Sequence, residues 1–132
     1  MTDITTTTVS EEGFASSSQI GDFELTIDAT NEDGPDPNQV LVANYASCFL
    51  PAFRVAADQQ GYEDLGQVEI ESEATLDDDD DVESISFTIY VEEEIDDGDV
   101  DEIVDQAEEV CHVHSALESG LHADVTVESG AF

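Results

Sequence analysis

A chain of 132 residues with one Lys or Arg against 35 Asp or Glu carries a formal charge of -34 at pH 7. That balance excludes nucleic acid and anionic membrane surfaces as partners, because both repel a chain with no basic stripe. The carboxylates are spread over every segment and 39 % of the residues are hydrophobic, so the acidity belongs to a folded surface rather than a disordered tail.

At molar salt the Debye length falls to about 3 Å, which screens the self-repulsion of such a surface. The composition therefore points to a cytoplasmic protein of an organism that keeps molar salt in its cells. The opening Met1-Thr2-Asp3-Ile4 has neither the basic nor the apolar region of a signal peptide. The length suits one domain, 1–132. Two cysteines in a cytosolic chain read as free thiols, a redox pair or metal ligands rather than a structural staple.

In chain order, Ile4 to Ser10 and Phe14 to Ser18 are β-prone. Phe23, Leu25, Ile27 and Ala29 alternate with Glu24, Thr26 and Asp28, the pattern of a half-buried strand. After a loop at Asn31 to Pro35, a long helix is predicted from Pro37 to about Gln60, closed by Gly61. Asp36 serves as its N-cap, Pro37 suits the first helical position, and Gln39 completes a capping box.

From Val40 to Ala57 nearly every face of this helix is apolar or small, and no charge falls between Asp36 and Arg54. Such a helix is expected to be buried on all sides. A membrane span is the weaker reading, since Asn44, Ser47 and Pro51 interrupt a run shorter than about 20 apolar residues.

Gln67 to Leu76 and Val82 to Val91 alternate as a β-hairpin, with Asp77 to Asp81 as a solvated tip rather than a calcium loop. The return strand places Ile85, Phe87, Ile89 and Val91 on one face. A second helix, capped by Asp99 with Glu102, carries the stripe Val100, Ile103, Val104, Ala107 and Val110 and ends at Cys111. A last strand from Leu121 to Val127 leaves His122 on its polar face. The order is that of an α+β protein.

Cys48 lies mid-helix, away from any N-terminal dipole, so its pKa is expected to rise unless a cation or hydrogen-bond donors sit opposite. Read locally, it is either a small core residue or half of a redox pair with Cys111. Pro51 cannot donate to the Ser47 carbonyl, which favours a bend beside the thiol. His112 and His114 beside Cys111, with His122, fit no common zinc spacing; exposed polar residues are the plainer reading. No metal or other cofactor is expected.

The run Asp36-Pro37-Asn38-Gln39-Val40-Leu41, then Ala43-Asn44-Tyr45-Ala46-Ser47-Cys48-Phe49, resembles the signature helix of the OsmC/Ohr family (osmotically inducible protein C and organic hydroperoxide resistance proteins). There an Asn-Pro-Glu-x-Leu start leads into an Ala-rich run ending in the reactive cysteine. Val110-Cys111-His112-Val113-His114-Ser115-Ala116-Leu117 resembles the second motif, which carries the resolving cysteine. Element order and cysteine positions agree from about Phe23 to Glu128.

The resemblance implies antiparallel sheets packed on a central buried helix in an intertwined homodimer. It also implies reduction of organic hydroperoxides, with Cys48 as peroxidatic thiol, Cys111 as resolving thiol and an external dithiol as reductant. A pocket lined by Tyr45, Phe49 and Phe53 would favour alkyl hydroperoxides.

Two departures stand out. The family's catalytic Glu corresponds to Asn38, which lies about 15 Å from Cys48 along one straight helix. The activating arginine of the family's N-terminal strands has no counterpart, because no Arg or Lys precedes Arg54. Arg54 itself falls about 240° round the helix from Cys48. The alternative is accordingly a non-enzymatic domain that binds an apolar small molecule or serves as a redox-responsive module.

Overall fold

The computed structural model describes residues 2–132; Met1, the first residue of the segment read above for a signal peptide, lies outside them. The chain forms two compact units, Met1–Leu41 and Val42–Phe132.

The first unit is a three-stranded antiparallel sheet, β1 (Thr6–Val9), β2 (Ala15–Ile20) and β3 (Phe23–Asp28), in the order β1-β2-β3. Its strands follow the predicted ones closely, but their burial does not. Phe23 is 76 % exposed and Leu25 47 %, whereas Asp28, placed by alternation on the wet face, is buried. The reason is local. One Asp28 oxygen accepts the Thr30 N–H (2.8 Å) and hydroxyl (2.7 Å), and the other accepts the Asp33 N–H (3.0 Å). The carboxylate thereby organises the loop, an Asx arrangement that competes with simple strand alternation.

α1 (Pro37–Gln59) opens with the predicted capping box: Gln39 N–H donates to Asp36 Oδ1 (2.8 Å) and Asp36 N–H donates to Gln39 Oε1 (3.0 Å). It closes on Gly61 at φ 96°, with Tyr62 N–H on the Ala57 carbonyl and Gly61 N–H on the Asp58 carbonyl. That paired bonding is a Schellman cap, and its left-handed residue favours glycine. The helix runs unbroken through Pro51. Among the described residues it is the one helix long and apolar enough to cross a bilayer.

In the second unit β4 (Val68–Leu76), β5 (Val82–Val91) and β6 (Asp124–Ser129) form a sheet in the order β4-β5-β6. β4 and β5 are the predicted hairpin, and Asp77 Oδ1 caps its tip by accepting the Asp79 and Asp81 N–H groups. β6 pairs parallel to β5, so this sheet is not wholly antiparallel. α2 (Asp97–Val110) starts two residues before Asp99, and Asp96 is its N-cap without a side-chain bond. Asp99 instead accepts the Tyr62 hydroxyl at 2.7 Å, which replaces the predicted capping box. A short helix α3 (His112–Ala116) and a 3-10 turn (Ser119–Leu121) lead into β6.

The core of this unit joins one stripe of α1 (Tyr45, Phe49, Ala52, Phe53, Ala56) to the predicted inner face of β5 and to Ile103 and Ala107 of α2. The Tyr45 and Phe87 rings meet edge-on at 4.8 Å between centroids, and Phe49 meets Phe87 at 5.5 Å. Each such ring contributes about 1.5–3 kcal/mol by leaving water. Within one chain, then, α1 is buried along a stripe and not on all sides; Val55 remains 46 % exposed. The all-round apolar sequence had predicted more cover than one copy supplies.

The Asp28 carboxyl is held down at about 2, because the Asp33 N–H, the Thr30 hydroxyl and the Thr30 N–H favour its ionised form over the burial that opposes it. A depressed folded-state pKa stabilises the fold above the unfolded value of about 3.9. The stability difference between wild type and Asp28→Asn should be constant from neutral pH down to about 5. It should shrink as pH falls through 4 to 2 and vanish below that. Denaturant titrations of both proteins across that range check the direction.

Candidate functional site

Cys48 sits halfway along α1, three residues after Tyr45, and is half-buried at the edge of the core. Cys111 occupies the junction of α2 and α3, fully buried. It ends the first helix, its N–H on the Ala107 carbonyl at 2.9 Å, and caps the second by accepting the His114 N–H on Sγ at 3.4 Å. Both cysteines are free thiols.

The fold brings them together. Cys48 faces the backbone N–H groups of Val113 and His112 and the Cys111 thiol, which favour its ionised form. Burial works against ionisation of Cys48, but these three donors outweigh it and hold its pKa below the ordinary thiol value. Cys111 moves the other way. Burial, above all, with the Cys48 thiolate it donates to, pushes it up to about 11, against the help of the His114 N–H. The two thiols thus ionise in order, Cys48 before Cys111.

Of the two conditions set for a lowered pKa, a cation or hydrogen-bond donors opposite the thiol, the donors are the one met here. Cys48 is far from the start of its own helix, yet it faces the first turn of another. The unsatisfied N–H groups of that turn do what an N-terminus does for a thiolate. Arg54 is exposed and donates to the Gly66 carbonyl at 2.8 Å. Asn38 stands in the first turn of α1, within the first unit.

Tyr45, read from sequence as a pocket-lining ring, and His114, read as an exposed polar residue, belong to the arrangement. Tyr45 is fully buried and its hydroxyl meets His114 Nδ1 at 2.6 Å while accepting the Ala123 N–H at 3.0 Å. Having accepted from Ala123, the hydroxyl donates to His114, whose ring is the neutral acceptor. Burial, then the neighbouring His122, lowers the His114 pKa and keeps it neutral. His122 stacks on His114 at 3.7 Å, with Nε2 at 3.1 Å from the Leu117 carbonyl. Both histidines had read as exposed polar residues; His114 is buried and His122 half-buried, because β6 begins only at Asp124.

The aromatic pocket is also corrected. Tyr45, Phe49 and Phe53 are wholly buried and fill the core, so their rings line no opening to Cys48. For metal ions, Asp77, Asp79 and Asp81 at the exposed hairpin tip are the one group of three among the described residues whose ligand atoms lie within 4.8 Å of one another. Their Asp77 Oδ1 already accepts two backbone N–H groups.

Comparison with known proteins agrees with this architecture. The family described as OsmC-like protein matches residues 29–126. An uncharacterized protein of Haloferax volcanii is 59 % identical over 132 residues, covering 100 % of both chains. The OsmC like protein from Mycoplasma pneumoniae superposes with a TM-score of 0.79 at 16 % identity, over 97 % of this chain and 96 % of that one. The organic hydroperoxide resistance protein OhrB of Bacillus subtilis does so at 0.70 and 20 % identity, over 96 % and 98 %. At such identities the two solved structures speak for the fold.

His112 is the first residue of α3, where proline is tolerated, and Cys111 before it already has the extended φ -73° and ψ 111° that a following proline requires. His112→Pro should therefore delete one donor to Cys48 with little disturbance. Since a hydrogen bond to a charged group is worth about 1.5–3 kcal/mol, iodoacetamide alkylation of Cys48 at pH 7 should slow by about tenfold or more. Rates measured on the reduced wild type and variant check this.

Proposed function

The chain belongs to the OsmC-like protein family, and we propose that it is a thiol-dependent peroxidase reducing organic hydroperoxides through Cys48 and Cys111, the whole chain acting as one such domain. The observation that carries the reading is that the fold sets the two free thiols against each other, with ionisation favoured at the more accessible Cys48 and opposed at the buried Cys111. Fold relatives named as organic hydroperoxide resistance proteins support the substrate class.

The Cys48 thiolate attacks the distal peroxide oxygen; the O–O bond breaks, and the alkoxide takes a proton to leave as alcohol. Cys48 becomes a sulfenic acid. The Cys111 thiol then displaces its hydroxyl, whose departure with the thiol proton gives water and a Cys48–Cys111 disulfide. An external dithiol reduces that bond by exchange. The competing reading, a binding domain without activity, drew on the missing activating cation. Three hydrogen-bond donors at Cys48 supply another cause for a lowered pKa, which favours the enzyme.

One equivalent of an alkyl hydroperoxide should remove both free thiols and leave one intramolecular disulfide, scored by thiol titration and peptide mapping. Retention of both thiols would contradict the assignment.

We further propose a homodimer in a salt-rich cytoplasm. Phe14 (73 % exposed), Phe23 and Val55 lie open in one copy, and covering such side chains yields roughly 1.5–3 kcal/mol each. Molar salt strengthens apolar burial and screens the charge of -34. Sedimentation equilibrium in molar KCl should give a dimer; a stable, folded 14.2 kDa species would contradict it.

A further inference from the structure

We propose that Tyr45 and His114 are positioning residues for the cysteine pair: their hydrogen bond fixes the α3 turn against α1 and so sets how fast Cys111 closes on oxidised Cys48. The inference rests on the thiol chemistry proposed above.

The geometry is a closed circuit. Tyr45 lies one helical turn before Cys48 on α1. Its hydroxyl donates to His114 on α3 (2.6 Å) and is itself fixed by the Ala123 N–H (3.0 Å) at the entry to β6. The backbone N–H of the same His114 holds the Cys111 sulfur (3.4 Å), and the two residues before it give their N–H groups to Cys48. One side chain on the helix of the first sulfur therefore anchors the residue whose amide holds the second. A ring needed only as core filler would not require this hydroxyl. Phe49, one turn along and equally buried, packs against the same Phe87 without one.

The closing step is Cys48–SOH plus HS–Cys111 giving the disulfide and water, with the Cys111 sulfur oxidised and the thiol proton leaving with the hydroxyl. It needs the two sulfurs in line, and a turn free to shift loses time in that alignment. A buried neutral hydrogen bond is worth enough to change such a rate about three- to tenfold.

Four proteins test it: wild type, Tyr45→Phe, His114→Leu, and His114→Asn, whose amide oxygen keeps an acceptor near the Nδ1 position. Each is oxidised with one equivalent of alkyl hydroperoxide, and separately with diamide, which forms a Cys48 adduct that Cys111 displaces without any peroxidase activity. Loss of the first and second thiol is timed, with dimedone trapping the sulfenic acid in the peroxide arm.

The expected result in Tyr45→Phe is a second step slowed about three- to tenfold, more than the first step is, with dimedone adduct accumulating. His114→Leu should match Tyr45→Phe, and His114→Asn should recover most of the wild-type closing rate. Equal closing rates in all four overturn the proposal, as does a His114→Asn no faster than His114→Leu. A wild type inert to hydroperoxide but showing this order with diamide upholds the positioning role and sinks the peroxidase reading instead.

Discussion

The site depends on one short turn. Helix α3 has five residues, too few to be stable alone, and it exists because Cys111 caps it and Tyr45 holds His114. Its first N–H groups have no partners within the helix. Two sulfur atoms take that role, so the backbone need of the turn and the chemical need of a thiolate are met by the same bonds. The asymmetry between the thiols follows from burial. Cys111 lies wholly inside and its pKa is raised; Cys48, at the edge, has its pKa lowered.

That arrangement explains how a chain with a single Lys or Arg favours ionisation of a half-buried thiol. Backbone dipoles are fixed and uncharged. They keep their strength in concentrated salt, where a surface ion pair is screened. In a protein whose surface is crowded with carboxylates, a lone activating arginine would have many competing partners.

Much of the fold could be read from the residues because its signals are local. The box at Asp36 and Gln39, the glycine stop at Gly61 and the inner face of β5 all arise from short-range rules that leave a residue signature. The site was legible only as its two cysteines. Their activation comes from backbone N–H groups of His112 and Val113, which every residue but proline carries, so no side-chain pattern announces it. Tyr45 was read as an apolar ring, since nothing in the sequence links it to His114 across 69 positions. The Cys-His-x-His string drew attention to imidazoles as ligands, when its use was to cap and anchor a turn. At Asp28 and Asp99, side chains assigned by periodicity went to tertiary partners instead.

Ultraviolet titration of thiolate absorbance in the reduced protein, in molar KCl, bears most directly on the claim that a helical turn sets the ionisation of two neighbouring sulfurs apart. The account predicts two separate steps, the first below the free-cysteine value of about 8.5 and abolished by Cys48→Ser, the second near 11 and belonging to Cys111. Two thiols that ionise together at or above the free-cysteine value would contradict it.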